Sequence, residues 1–183
     1  MKVTPTPFEG LRIIEPRVRG DLRGHFFESY NRRDFLEAGI DIEFVQDNQS
    51  RSRQGVIRGL HFQVPPQAQT KLVRVLHGRI VDIVVDLRRN QPTYGKVFSI
   101  ELTADNQLQL LIPKGFAHGF SVLSLWAEVL YKCDAYYSPT HDKGIHMADP
   151  SLGIDWGLGD LLPIVSEKDQ VLPKLSEIPS YFD

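Results

Sequence analysis

Hydrophobic and polar residues alternate along the middle of the chain, between about residues 44 and 137. Positions of one parity from Val81 to Leu87 are all apolar, and the same period of two recurs in Phe98–Thr103 and from Val129 to Tyr137. This period is typical of β-strands whose two faces meet different surroundings. Turn residues separate the runs, at His77–Gly78, Arg89–Pro92 and Ala104–Asn106. Short, closely spaced strands predict an antiparallel sandwich or barrel.

A short helix is predicted ahead of these strands, from Asn31 to Gly39. Asn31 suits the N-cap, Asp34 suits the positive end of the helix dipole, and Gly39 suits the C-terminal end. The thirty residues before it are rich in proline and glycine, which favours extended pieces and turns.

The last forty residues are loop-rich, and they predict one short helix near Ser166. We expect this segment to pack on the barrel, because Trp156, Leu161 and Leu162 are poor residues for a free tail.

The composition agrees with a single strand-rich domain over residues 1–183. The chain has 15 Val, 13 Ile and 18 aromatic residues against 7 Ala, and such residues favour strands. Its net charge of −2 argues against a broad nucleic-acid or membrane surface. No apolar run is long enough for a membrane span or a signal peptide. The single cysteine, Cys133, excludes an intrachain disulfide, and together these features predict a cytoplasmic protein.

Several catalytic motifs are absent, namely GxxxxGK[ST], GxGxxG after a strand, and GxSxG. Cys133 lies within a predicted strand and is interpreted as a packed thiol. Covalent catalysis and nucleotide-dependent phosphoryl transfer are therefore disfavoured.

Two histidine-bearing segments remain as candidate chemistry, RGLHFQ at Arg58–Gln63 and PKGFAHGF at Pro113–Phe120. The second resembles the PxGxxH part of the second cupin motif. The first departs from the metal-binding cupin pattern, because Gln63 stands where a second histidine is expected. Only His61 and His118 remain as ligands, and two imidazoles rarely hold a transition metal. We therefore expect a cupin-like barrel without a metal.

The order of the motifs resembles that of the dTDP-4-dehydrorhamnose 3,5-epimerases over nearly the whole chain. The segments that carry this resemblance are Asp21–Glu28, Val45–Ser52, Gly55–Gln63, Lys71–Arg88, Pro113–Phe120, Tyr131–Pro139 and Ser166–Asp169. The resemblance implies an all-β, cupin-like jelly-roll barrel with small flanking helices. It also implies a homodimer that acts on a dTDP-sugar without a cofactor, in the synthesis of dTDP-L-rhamnose.

The resemblance also implies catalytic roles for four residues. His61 corresponds to the general base, Asp169 to the carboxylate that pairs with it, Tyr131 to the general acid, and Lys71 to the cation beside the keto oxygen. From the residues alone, His61 and Tyr131 also fit ordinary barrel packing, and Lys71 also fits a solvated strand edge. Asp169 also fits a capping box that begins at Ser166, and we expect its carboxylate to serve only one of these two roles fully.

A second set corresponds to substrate ligands of the family. Arg23 and Arg58 match pyrophosphate ligands. Tyr137 matches the tyrosine that stacks on thymine. The remaining matched positions are Glu28, Gln46, Asp47, Asn48, His118, Lys168 and Asp142, with Lys143 as the adjacent alternative to Asp142.

One local conflict yields a structural prediction. Arg58 and His61 have opposite parity, so an unbroken strand would point them to opposite faces. Since both are expected in one site, we predict a bulge or kink at Gly59.

Three alternatives to the double epimerase stay open. A mono-epimerase acting at carbon 3 or carbon 5 would share most of these residues. A metal-dependent cupin would require a bound metal for activity, and a non-catalytic barrel would bind dTDP-sugar without exchanging protons.

Overall fold

A computed structural model describes all 183 residues and consists of two packed antiparallel sheets with a separate hairpin. The first sheet has the order β1-β2-β10-β7-β12-β5, and the second has the order β13-β6-β11-β8-β9. The strands are β1 Lys2–Pro5, β2 Arg12–Glu15, β3 Arg19–Asp21, β4 Gly24–Phe26, β5 Gln46–Arg53, β6 Ile57–Gln63, β7 Lys71–His77, β8 Arg79–Asp86, β9 Val97–Thr103, β10 Gln109–Ile112, β11 Phe116–Val122, β12 Trp126–Cys133 and β13 Asp142–Gly144. Strands β3 and β4 form the hairpin. The predicted all-β, jelly-roll class with small helices is confirmed.

The two sheets enclose an apolar core that fills one part of the interior. Val73 and Val129 from the first sheet pack with Val84, Phe120 and other residues from the second. The remaining interior is lined by polar side chains of the same strands, and this division leaves room for a site inside the barrel.

The outer faces of both sheets are also covered. Ile83 and Val85 on β8 pack against Leu152 and Trp156 of the C-terminal segment. On the first sheet, the helix α1 (Arg32–Glu37) buries Phe35 against the outward-facing apolar residues. Strand β8 is therefore buried on both faces, and the face that carries Asp82 is the interior one.

Both predicted helices are present. Asn31 is the N-cap of α1, where its side chain accepts a hydrogen bond from the Arg33 amide. Helix α2 (Glu167–Gln170) has Ser166 as its N-cap, and a 3₁₀ turn follows at Leu175–Glu177. None of these helices combines the length and the apolar character that a membrane span requires.

Two expectations about the later part of the chain are wrong. The strand that begins before Val129 ends at Cys133, so Tyr137 lies in a loop although it continues the period of two. Trp156 is buried as predicted, but Leu161 and Leu162 are 47 % and 86 % exposed. The segment thus packs on the barrel through Trp156, while its leucine pair faces solvent.

The predicted bulge at Gly59 is confirmed. His118 of β11 pairs with His61 and Phe120 pairs with Arg58, so three steps on β6 oppose two steps on β11. Gly59 has φ +118°, which favours glycine, and a Cβ there would lie 2.5 Å from the Gly119 Cα. The extra residue reverses the parity of the strand and turns Arg58 and His61 into the same interior.

Candidate functional site

The polar part of the barrel interior holds two neighbouring cavities of about 430 Å³ and about 130 Å³. Both are lined by His61, Lys71 and Tyr131, which therefore lie where the cavities meet. Pockets of a few hundred cubic ångströms are typical of small-molecule sites. Three of the four predicted catalytic residues thus lie at the junction of the two cavities, and the fourth, Asp169, lines the larger cavity.

His61 is held by Asp169 at the wall of the larger cavity. The Asp169 Oδ1 lies 2.8 Å from the His61 Nε2, although the two residues are 108 positions apart. Burial alone would raise the pKa of Asp169, but hydrogen bonds from His61, from the Gly59 amide and at Ser166 lower it below its ordinary value. Asp169 is therefore a carboxylate at neutral pH, and the His61 Nδ1 is the ring nitrogen without a protein partner.

The Asp169 carboxylate is the partner of His61, and only the main chain of this residue takes part in the cap of α2. Its backbone amide donates to the Ser166 Oγ at 3.1 Å and completes the cap of α2. Its carboxylate remains free for His61 and also accepts from the Gly59 amide at 3.3 Å. The carboxylate thus serves only one of the two roles, as expected, because the cap uses the main-chain N–H of Asp169 rather than its side chain.

Lys71 begins β7 and points into the junction of the two cavities. Its Nζ lies 5.8 Å from the centre of the Tyr131 ring and makes no hydrogen bond or ion pair with the protein. Burial lowers the pKa of this amine, and the nearby acidic groups of Cys133, Asp142 and Asp82 oppose that effect. A lysine amine without a protein partner in a cavity is available to a ligand oxygen.

Tyr131 lies on the neighbouring strand β12, opposite Val73 of β7. Burial raises the pKa of its phenol, and the neighbouring Cys133 adds to this effect. The hydroxyl therefore keeps its proton at neutral pH. Cys133 itself is buried, as predicted for a packed thiol.

Arg58 lines the larger cavity because of the bulge at Gly59. Its Nε donates to the Ser52 Oγ at 2.9 Å, which fixes the guanidinium and leaves its terminal nitrogens free for an anion. Ser50, two residues away on β5, also lines the cavity, and its buried Oγ has no hydrogen-bond partner. Sequence reasoning missed Ser50, although the parity it shares with Asn48 could have indicated it.

Asp142, Lys168 and Tyr137 form a bridge between β13 and α2. The Lys168 Nζ donates to the Asp142 Oδ2 at 2.6 Å, and the Tyr137 hydroxyl donates to the same oxygen at 3.2 Å. The hydrogen bond to Asp142 raises the pKa of Lys168. Asp142, rather than Lys143, therefore faces the site.

The segment from Gln46 to Asn48 divides between the two faces of β5. Gln46 and Asn48 line the smaller cavity, and the Gln46 Nε2 donates to the Asn48 Oδ1 at 3.0 Å. Asp47 lies on the opposite face, where it accepts from the Lys132 Nζ at 2.9 Å. Adjacent residues of a strand point to opposite faces, so the structure brings only two of these three into the site.

Besides Asp47, two predicted ligands lie outside both cavities. Arg23 is on the exposed β3–β4 hairpin and forms an ion pair with Asp21. Glu28 accepts from the Asn31 Nδ2 at 3.1 Å near the start of α1. Within one chain, these two side chains do not reach the residues around His61.

His118 lines the larger cavity and pairs with a residue that sequence reasoning missed. The His118 Nε2 lies 2.9 Å and 3.0 Å from the two carboxylate oxygens of Asp82, which is wholly buried. The sequence does contain a signal for this pair, because Asp82 lies within an apolar strand. A carboxylate buried there requires a partner, and a histidine on a neighbouring strand is a candidate.

The arrangement suits the removal and return of a carbon-bound proton. A histidine backed by a carboxylate is a suitable base, a protonated phenol is a suitable acid, and a lysine between them can stabilise negative charge on a carbonyl oxygen. Arg58, Ser50 and Lys168 add donors suited to phosphate oxygens around the larger cavity.

Comparison with known proteins gives a consistent result. The family model for dTDP-4-dehydrorhamnose 3,5-epimerase matches residues 5–177. The Pseudomonas aeruginosa protein of that name is 53 % identical over 171 residues, which cover 93 % of each chain. A Legionella pneumophila dTDP-6-deoxy-D-glucose-3,5-epimerase, whose crystal structure contains dTDP-4-keto-L-rhamnose, is 46 % identical with a TM-score of 0.92 over 97 % of this chain and 94 % of that one. A dTDP-4-dehydrorhamnose 3-epimerase from Streptomyces niveus is 37 % identical over 97 % of this chain and 85 % of its own.

Proposed function

This chain belongs to the dTDP-4-dehydrorhamnose 3,5-epimerase family, and on that premise we propose that it converts dTDP-4-dehydro-6-deoxy-D-glucose into dTDP-4-dehydro-L-rhamnose. The reaction inverts carbons 3 and 5 of the sugar. The double epimerases among the relatives reported above are more similar to this chain than the 3-epimerase is. The observation that carries the proposal is the His61–Asp169 pair, which shares one cavity with Tyr131 and Lys71.

His61 is the base in this proposal. The 4-ketone acidifies the hydrogens on carbons 3 and 5, and the His61 Nδ1 removes one of them. The Asp169 carboxylate accepts the Nε2–H, holds the ring in that tautomer and stabilises the imidazolium that results.

Lys71 stabilises the enolate. Loss of the carbon-bound proton moves negative charge onto the oxygen at carbon 4, and a desolvated ammonium group interacts strongly with that charge. Because Lys71 has no carboxylate partner in the protein, no ion pair has to break for this contact to form.

Tyr131 returns the proton from the opposite face of the ring, and the carbon is thereby inverted. Burial keeps its phenol protonated until the enolate forms. His61 then releases its proton to solvent and Tyr131 recovers one from solvent, after which the same three side chains act on the second carbon.

The ligands of the nucleotide surround these groups. Arg58, Lys168 and Ser50 bind the diphosphate, and the exposed Tyr137 ring stacks on the thymine base. Gln46, Asn48, His118 and Asp142 complete the binding set.

The active species in this proposal is a homodimer. Arg23 lies outside the cavity of its own chain, on a hairpin whose Leu22 and Phe26 are largely exposed. Strands β1 and β5 are open sheet edges, to which a second copy can add a strand. Analytical ultracentrifugation measures the oligomeric state directly, and a monomer at assay concentrations contradicts the proposed homodimer.

Proton NMR in deuterium oxide with dTDP-4-dehydro-6-deoxyglucose tests the reaction. We expect deuterium at both carbon 3 and carbon 5, with the L-rhamno product formed, and we expect His61→Ala to abolish exchange at both carbons. Label at one carbon only would show a mono-epimerase, and binding without label would show a non-catalytic protein. Normal exchange by His61→Ala would remove His61 from the role of base.

A further inference from the structure

Asp82 is a buried carboxylate for which the proposed reaction has no use. It lies on β8, its side chain is wholly buried, and both of its oxygens contact the His118 Nε2. It makes no other side-chain hydrogen bond or ion pair. A carboxylate buried in this way is costly unless an opposite charge lies beside it.

His118 carries this contact to the site. It pairs directly with His61 across strands β6 and β11, and both rings line the larger cavity. In each ring Nε2 contacts a carboxylate, Asp169 for His61 and Asp82 for His118. Nδ1 therefore remains without a protein partner in both rings, and the site contains two histidine–carboxylate pairs.

The surroundings of the two pairs differ. Asp169 also accepts from the Gly59 amide, whereas His118 is the only partner of Asp82. The exposed fraction of the side chain is 32 % for His61 but 6 % for His118. The only direct contact of the Asp82 carboxylate is thus one imidazole, in an environment with little water, where an electrostatic attraction is strong.

We propose that Asp82 is a positioning residue that holds His118 as an imidazolium, so that the His118 Nδ1–H donates to the oxygen that becomes negative during enolisation. This inference rests on the proposed function and adds a second donor beside Lys71. Such a donor acts mainly on the transition state, because the ketone oxygen acquires its charge only then.

The kinetic test compares Asp82→Asn with Asp86→Asn. Asp86 is the matched control, since it lies on the same strand and is equally buried but contacts Arg88 and Thr93. We expect Asp82→Asn to lower kcat by about 10²-fold with KM changed less than about threefold. Folded Asp86→Asn should keep the wild-type kcat. Equal kcat values for the two variants, each corrected for its folded fraction, would overturn the proposal.

A spectroscopic test needs no variant. In ¹⁵N-labelled wild-type protein at neutral pH, two-bond ¹H–¹⁵N correlations report which ring nitrogens of His118 carry protons. We expect protons on both nitrogens, and a ring with a single proton would overturn the imidazolium. His118→Gln provides the assignment of the signal.

The two proposals fail in different ways. If wild-type protein exchanges neither carbon-bound hydrogen, the epimerase function fails, while the ring protonation of His118 is still measured. If wild-type protein exchanges both and Asp82→Asn matches Asp86→Asn, only the role of Asp82 fails. If Asp82→Asn does not fold, the ¹⁵N spectrum of the wild type decides.

Discussion

The bulge at Gly59 makes a quantitative prediction, because two separate costs meet at one residue. Gly59 has φ +118°, and an added Cβ would lie 2.5 Å from the Gly119 Cα and 2.7 Å from the His118 carbonyl oxygen. Both contacts are with backbone, about 1 Å shorter than ordinary van der Waals distances. Gly59→Ala must therefore move one of two paired strands.

The expected cost is the sum of these terms. A strained φ costs about 1–3 kcal/mol, and overpacking costs about 1–3 kcal/mol more. Gly59→Ala should therefore lose about 2–6 kcal/mol, a large part of the roughly 5–15 kcal/mol of a typical domain. The remaining folded protein should lose about 10²-fold in kcat, since an ångström of misplacement at Arg58 and His61 is enough for that.

Two other glycines separate the cost of the strained φ from the cost of the steric clash. Gly153 has φ +57°, and a Cβ added there would meet nothing within 4 Å, so Gly153→Ala incurs only the strain of its left-handed backbone, about 1 kcal/mol. At Gly119 the φ is ordinary, but a Cβ would lie 2.7 Å from the Arg58 carbonyl oxygen, so Gly119→Ala incurs only the clash. Urea unfolding followed by tryptophan fluorescence measures all three. If Gly59→Ala matches Gly153→Ala and keeps wild-type activity, the role of the bulge is refuted.

Three further predictions concern the proton-transfer groups. Because the pKa of Asp169 is lowered in the folded state, its carboxylate stabilises the fold above about pH 4, and this stabilisation is lost as pH falls further. Asp169→Asn should therefore lower the free energy of unfolding by about 1–3 kcal/mol at pH 7 and by less in acid. Urea unfolding at several pH values measures this difference. Burial lowers the pKa of Lys71 and raises that of Tyr131, so the alkaline decline of kcat should belong to Lys71 and move to higher pH in Lys71→Arg; an unmoved decline contradicts this. Tyr131→Phe should still exchange deuterium into recovered substrate through His61 but form no inverted product, and inverted product seen by NMR would assign the acid elsewhere.

The sequence predicts strands better than it predicts which face of a strand is inside. In β8 the regular apolar parity, which includes Ile83 and Val85, lies under the C-terminal segment, whereas the parity with Asp82 lines the barrel interior. A period of two reports that the faces differ, but it does not report which one is covered by a distant part of the chain. Asp82 was missed for this reason.

Local rules were sufficient where the decision is local. The conflict of parity between Arg58 and His61 predicted the bulge once the family resemblance assigned both to one site, and Ser166 predicted the cap of α2. Strand parity alone also predicts that Asp47 faces away from Gln46 and Asn48, whereas the family resemblance assigns all three to the site. The positions of Arg23 and Glu28 relative to the site depend on long-range packing, and no local pattern encodes them.

The contact between Asp169 and His61 joins two catalytic residues that lie 108 positions apart in the sequence. The histidine belongs to the barrel, but its carboxylate arrives on a four-residue helix in the C-terminal segment, which docks through Trp156 on the outside of the second sheet. No strand of either sheet comes from this helix, so the base can lose its partner without the loss of a strand pairing. The integrity of the C-terminal segment therefore bears on activity in addition to the integrity of the barrel, because the segment supplies the carboxylate that holds His61.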